Sequence, residues 1–135
     1  MKYLIDTDWI INYLKGDEKT VNALENFYGR GFAISVISFA EIYEGIFYYE
    51  GEKRDKLERD FKNFLEGVTV LNVDENIGEI FGKLRSQLRK EGNLIDNFDL
   101  LIASTALWHN LYLLSNNVKH FKRIKDLEIK SLMDY

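Results

Sequence analysis

The sequence predicts an α/β protein with a mostly parallel central sheet of about four to five short strands, flanked by helices on both faces. Three observations carry this. Short apolar runs alternate with longer helical stretches, the pattern of repeated strand–helix–strand units. The run "FAISVI" is apolar enough for a strand buried on both faces, as strands of parallel sheets are. At 135 residues the chain fits a single domain (1–135), which at this size buries about two-thirds of its unfolded surface.

Taken in order, "KYLI" (2–5) reads as a strand, "DWIINYLK" (8–15) and "EKTVNALENFY" (18–28) as helices, and "FAISVI" (32–37) as the second strand. "SFAEIYEGIFYYE" (38–50) and "KRDKLERDFKNFL" (53–65) form a helical pair around Gly51. "VTVLNV" (68–73) is the third strand, followed by a long amphipathic helix, "DENIGEIFGKLRSQLRKEG" (74–92). "DLLIASTALWHN" (99–110) is apolar all round, so it reads as a buried helix ending at Asn110; "LYLLS" (111–115) and "LEIKSL" (127–132) complete the sheet. With no proline in the chain, helices must be stopped by glycine or asparagine, and Gly16, Gly29, Gly31, Gly51, Gly67, Gly92 and Asn110 stand where stops are needed.

Composition bounds the chemistry. Apolar residues are 46% and charged residues 30% of the chain, ordinary for a globular protein and unlike a disordered one. The absence of cysteine removes disulfides, thiolate nucleophiles and cysteine-ligated zinc, and permits the reducing cytoplasm that is the expected location. His109 and His120 do not have the spacing of a metal-binding pair on one helix, so each is expected to be structural or at the surface. The start "MKYLIDT" has no basic leader, and no apolar run approaches the roughly 20 residues of a membrane span, so neither a signal peptide nor a spanning helix is expected. A net charge of −4 argues against a broad electrostatic footprint on nucleic acid, while leaving room for a nuclease with a small, metal-neutralised site.

Several polar residues recur at one kind of place. Asp6 ends the first strand, Glu41 lies just past the second, Asp99 opens the buried helix, and Asn117 follows "LYLLS". Ligands of open parallel sheets bind outside the carboxyl ends of the strands, so these four can converge there. Each also has a structural alternative. Ser38 and Glu41 fit an S-x-x-E capping box; Asp96 or Asp99 can cap the buried helix, as Asp74 caps the one before; Asn117 can be a turn residue in the left-handed region. Asp6 fits such an alternative least, since an acid closing an apolar strand is expected to be partly buried.

Three carboxylates that meet cannot all stay ionised without a compensating cation. Without cysteine or a histidine pair the ligands would be all oxygen, which suits Mg²⁺ or Mn²⁺, and Mg²⁺ is commonly completed by substrate phosphate. A phosphate or phosphodiester substrate is therefore expected.

With these residues laid out, the chain resembles the PIN-domain ribonucleases, specifically the VapC-type toxins of toxin–antitoxin pairs. "YLIDTDWIINYLKG", "SVISFAEIYEG", "FDLLIASTAL" and "LYLLSNNVKHFKRIKDLEI" are similar to that family's successive segments, in order and over almost the whole chain. The resemblance implies a PIN-like fold and an Mg²⁺- or Mn²⁺-dependent endoribonuclease. Asp6, Glu41 and Asp99 take the places of its three metal-holding acids, and Asn117 that of a fourth residue that is often aspartate. Thr7, Ser38 and Ser115 fall beside them, Ser115 where the family commonly has threonine; Asp8 departs from the family's usual asparagine and reads as the cap of "WIINYLK". The family further implies a homodimer, a structured RNA substrate such as transfer RNA, and a cognate antitoxin that enters the active-site groove. Aromatic residues in "IYEGIFYY", with Trp9 and Tyr13, can line a partner groove or simply pack the core, and Lys119, Lys122, Arg123 and Lys125 can meet RNA phosphates or form a solvated face.

Two rival readings stand beside this one. "DTD" after an apolar strand also resembles the haloacid-dehalogenase phosphatases, but Ile10 stands where those have threonine. The other is a PIN-like interaction module with weak or no catalysis.

Overall fold

The computed structural model describes residues 1–27 and 30–134. Five strands, β1 (Tyr3–Ile5), β2 (Phe32–Ser35), β3 (Val68–Leu71), β4 (Tyr112–Leu114) and β5 (Ile129–Lys130), form one sheet in the order β3-β2-β1-β4-β5. Every neighbouring pair is parallel, with Tyr3 opposite Phe32 on one side and Tyr112 on the other. The first strand is therefore central, and the chain grows outward from it to one edge and then to the other. Such an order creates the crevice at the carboxyl ends of the inner strands where open α/β sheets bind ligands.

Helices α1 (Thr7–Leu14), α2 (Glu18–Asn26), α3 (Val36–Tyr48) and α4 (Gly51–Leu65) precede β3, whereas α5 (Glu75–Glu91) and α6 (Asn97–His109) precede β4. Side-chain alternation along β1 distributes the two cores. Tyr3 and Ile5 join Trp9, Ile10, Ile34, Ile42 and Phe61 in one cluster, while Leu4 joins Ala33, Leu88, Leu100, Ile102 and Leu113 in the other. Both clusters are continuous apolar bodies, so each sheet face is covered, as the parallel arrangement requires. Among the described residues no helix is long and apolar enough to cross a membrane.

Helix ends follow local chemistry. Gly92 ends α5 with φ 70° and Asn110 ends α6 with φ 55°, both in the left-handed region where amides of the cap reach back to the last turn. Asp74 caps α5 by accepting from Ile77 N–H. At Gly31, φ is +84° and a Cβ would lie 3.0 Å from Met1 Cα, so only glycine lets β2 begin against the amino terminus.

Three expectations need correction. "FAISVI" is a strand only to Ser35: that serine caps α3 through Ile37 N–H, and Val36 and Ile37 become its first turn. Their β-branched side chains favour a strand only weakly, and the cap with the packing of α3 overrides that preference. "LEIKSL" pairs only at Ile129–Lys130 before the chain turns into a 3₁₀ segment at Leu132–Asp134. A one-turn helix, α7 (Val118–Phe121), follows β4 where no element was expected. Gly29 as a stop, and Tyr28 as the end of the second helix, lie outside the described residues.

Candidate active site

The site is assembled where β1 and β4 end side by side. Asp6, the residue after β1, is only 4% exposed. It caps α1: Oδ1 accepts from Thr7 N–H at 2.8 Å, while Oδ2 accepts from Ser115 Oγ at 2.7 Å across from β4. Ser115 in turn accepts from Asn117 N–H at 3.0 Å, so one hydroxyl fixes both the carboxylate of β1 and the turn after β4.

Thr7 carries the link to α3. Its Oγ1 lies 2.8 Å from Glu41 Oε1 and 2.8 Å from Ser38 Oγ. Thr7 has one hydroxyl proton and an ionised carboxylate only accepts, so Thr7 donates to Glu41 and receives from Ser38. The capping-box reading of Ser38 and Glu41 is thereby overturned: α3 starts one turn earlier, at Ser35, leaving Ser38 buried inside the helix and Glu41 free to point at the strand ends.

Asp99 sits in the first turn of α6, and the cap of that helix is Asp96, whose Oδ2 accepts from Phe98 N–H and Asp99 N–H. With its amide occupied in this way, Asp99 directs its carboxylate to the loop after β4, where Asn117 Nδ2 donates to Oδ2 at 3.2 Å. The same amide nitrogen is 3.1 Å from His120 Nδ1. An amide nitrogen is a donor, so Nδ1 accepts and the neutral ring carries its proton on Nε2. Asn117 has φ −84°, which removes its reading as a left-handed turn residue. His120, expected to be structural or superficial, instead stands at the site, against the Asn117 side chain that also reaches Asp99.

Electrostatics show the crowding of acids. Burial, then the charge of Asp8, push the Asp6 pKa from 3.8 to about 7 against the opposing bonds from Ser115 and Thr7, with Asp99 adding a smaller upward push. The Asp99 carboxyl is raised by burial and by the charges of Asp96, Glu41 and Asp8. Asp8 is raised by burial against amide bonds that oppose it. Asp8 pushes up both Asp6 and Asp99, and Asp99 pushes up Asp6, so these acids share one electrostatic neighbourhood.

Asp8 is not the helix cap it was expected to be, because Asp6 holds that position. Instead Asp8 Oδ1 accepts from Trp9 N–H at 2.7 Å and Oδ2 accepts from Asn116 N–H at 2.9 Å. Asn116 is a residue that sequence reasoning misses; only its place between Ser115 and Asn117 points to it. Trp9 is fully buried and belongs to the core, whereas Phe47 and Tyr48 are 56% and 81% exposed, so the aromatic run divides between packing and surface. Lys119, Lys122 and Lys125 are exposed around α7, and Arg123 Nη1 donates to Leu94 O, which ties it to the loop before α6.

Among the described residues no three His, Asp or Glu side chains stand close enough together to hold one ion as they are placed. Asp6 and Glu41 are turned into hydrogen bonds with Ser115, Thr7 N–H and Thr7 Oγ1. The donor set nonetheless fits a hard divalent cation: every candidate ligand is oxygen, and Asp6 and Asp99 are held above their ordinary carboxylate range by the repulsion and burial that a cation relieves.

The chain is similar to known proteins over nearly its whole length. The family model described as PIN domain matches residues 3–127. Ribonuclease VapC1 of Methanocaldococcus jannaschii is 37% identical over 129 residues, covering 96% of this chain and 85% of that protein. The crystal structure of VapBC2 from Rickettsia felis, bound to a DNA fragment from its promoter, has a chain that superposes with a TM-score of 0.88 at 31% identity, covering 97% of this chain and 98% of that one. A chain of the VapBC-1 structure from nontypeable Haemophilus influenzae gives 0.84 at 32% identity, with 98% and 99% covered. A match of this extent leaves the dehalogenase reading of "DTD" without support, and the chain belongs to the PIN-domain family, among its VapC-type ribonucleases.

Proposed function

We propose that the protein is an Mg²⁺- or Mn²⁺-dependent endoribonuclease, the toxin of a type II toxin–antitoxin pair, hydrolysing phosphodiester bonds in structured RNA such as transfer RNA. The observation that carries this is the buried Asp6 carboxylate, its pKa lifted to about 7, joined through Ser115 and Asn117 to a second elevated acid, Asp99. A buried acid at a strand end with a like-charged neighbour is destabilised unless it binds a cation.

In this reading Asp6 and Asp99 hold the metal directly. Glu41, held by Thr7, joins them or orients the attacking water. Asn117 positions Asp99 through its amide, and Ser115 and Thr7 keep the Asp6 carboxylate in place. When bound, the metal lowers the pKa of its water and stabilises charge developing on the phosphate. Asn117 brings no charge of its own, which favours a single tightly held ion. Lys119, Lys122 and Lys125 border α7 and are placed to meet RNA phosphates.

The VapBC assemblies of the related structures support a cognate antitoxin as partner, and the family resemblance is what suggests a homodimer as the working form. The second reading, an interaction module without catalysis, draws on the neutral Asn117 and on the absence of a preformed three-acid cluster among the described residues. One experiment separates the two. D6N and D99N are each expected to reduce Mg²⁺-dependent cleavage of a transfer RNA pool by at least about 100-fold while circular dichroism and unfolding midpoint stay those of a folded protein. Undiminished cleavage in either variant rejects the assignment, and a wild type that neither binds Mn²⁺ nor cleaves favours the module.

A further inference from the structure

Asn116 has no part in the reading above, yet its two polar ends tie three separate pieces of the molecule. Its backbone N–H donates to Asp8 Oδ2 at 2.9 Å in the first turn of α1. Its side-chain Oδ1 accepts from Trp9 Nε1 at 3.1 Å and from Leu132 N–H at 2.9 Å in the 3₁₀ segment after β5. Trp9 is fully buried in the core, so its indole is a fixed anchor. The residues on either side of Asn116 are the ones that touch the acids: Ser115 donates to Asp6 and Asn117 donates to Asp99. Consecutive Cα atoms are about 3.8 Å apart, so the backbone at position 116 cannot shift without carrying the Ser115 hydroxyl or the Asn117 amide with it.

We propose that Asp8 and Asn116 form a clasp that sets the separation between Asp6 and Asp99, and that both act as positioning residues for the metal. The proposal rests on the metal-dependent reading of the site. Asp8 holds the backbone of the loop to α1; Asn116 holds its side chain to the Trp9 indole and to the folded-back carboxyl-terminal segment. Binding Asp8 by its oxygen rather than by its charge has a checkable consequence. An asparagine at position 8 keeps a carbonyl oxygen for the Asn116 N–H, whereas an alanine keeps nothing. D8N and D8A lose the same charge and the same second acceptor oxygen, so what separates them is the one acceptor that asparagine keeps and alanine does not.

The test measures Mn²⁺ affinity by titration calorimetry, with RNA cleavage rate and KM alongside, for wild type, D8A, D8N and N116A. D8A and N116A are expected to weaken Mn²⁺ binding by about 10- to 100-fold, the usual effect of removing a group that orients a metal ligand. Cleavage at saturating RNA falls in parallel and KM changes far less. D8N recovers most of what D8A loses. The Trp9 indole N–H resonance shifts in N116A, reporting the lost acceptor independently of function. D8A removes a charge that repels Asp6, so it is expected to fold even if N116A does not, and it decides the question alone in that case. Equal Mn²⁺ affinity in D8A and D8N, or wild-type affinity in both alanine variants, overturns the clasp, as does a wild type that binds no Mn²⁺. A wild type that binds Mn²⁺ but cleaves no RNA rejects the ribonuclease reading instead, and leaves the clasp to be judged on affinity.

Discussion

Asp6 makes stability depend on pH in an unusual sense. Its pKa rises from 3.8 to about 7 on folding, so between those values the folded chain binds a proton that the unfolded chain releases. Stability then falls as pH rises through that window, the reverse of a salt-bridged acid. The difference between 3.8 and about 7 corresponds to a loss of up to about 4 kcal/mol for the metal-free protein. Urea unfolding in a chelating buffer is expected to show this decline between about pH 4 and pH 7, and D6N to make it shallower, leaving the part that the raised Asp8 and Asp99 contribute. Adding Mn²⁺ stabilises by mass action and lifts the high-pH end. A wild-type profile that climbs through the window, with D6N superimposed on it, rules out the buried acid as the cause. At this scale the sequence revealed the acids and misjudged what holds them. Asp6 stood out because an acid ends an apolar strand. Asp8 reads from the sequence as the cap of "WIINYLK", and only the approach of the segment after β4 shows that its carboxylate reaches Asn116 instead. Pairings between residues over a hundred positions apart leave no local trace.

Helix starts decide which acids face the site. The S-x-x-S-x-x-E spacing of Ser35, Ser38 and Glu41 offers two caps three residues apart, and the first is used, which frees Glu41 from capping to meet Thr7 at the end of β1. The stretch "SVIS" reads equally well as strand or helix from propensity, so that choice was not legible locally. Long periodic elements such as α5, and stops at Gly92 and Asn110, were legible because their chemistry is local. Asp96 gives this scale a test. Its carboxylate both caps α6 and raises the neighbouring Asp99. Asparagine caps as well as aspartate, and alanine does not. D96A is therefore expected to lose about 1 kcal/mol in urea unfolding, while D96N stays within a few tenths of wild type. D96N also removes a charge that disfavours ionised Asp99, so Mn²⁺ affinity at low pH should hold or rise in that variant and fall in D96A. Equal stability of the two variants would show that the cap is not what this carboxylate supplies.

The whole molecule is a sheet with a separate apolar body on each face, and the site lies at the edge where both bodies end. Asp6 leaves the strand whose alternate residues feed the two cores, Glu41 comes from a helix packed in the Trp9 cluster, and Asp99 from one packed in the Leu100 cluster. Correct spacing of the acids thus depends on both layers folding together. The two layers meet through the strands and where α3 touches α6, so small changes placed deep within each should act nearly independently on stability while leaving one cooperative transition, as expected for a domain of this size. Ile10 and Ile102 are fully buried, one in each cluster. I10V and I102V are each expected to cost about 1 kcal/mol, within the usual range of 0.5–1.5 for loss of one buried methylene. The double variant should lose their sum to within about 0.5 kcal/mol, with an unchanged slope against urea. A coupling much larger than this would mean that strain passes through the sheet from one core to the other. A split transition would mean that the layers unfold separately, and then the geometry of Asp6 against Asp99 would loosen before the fold as a whole is lost.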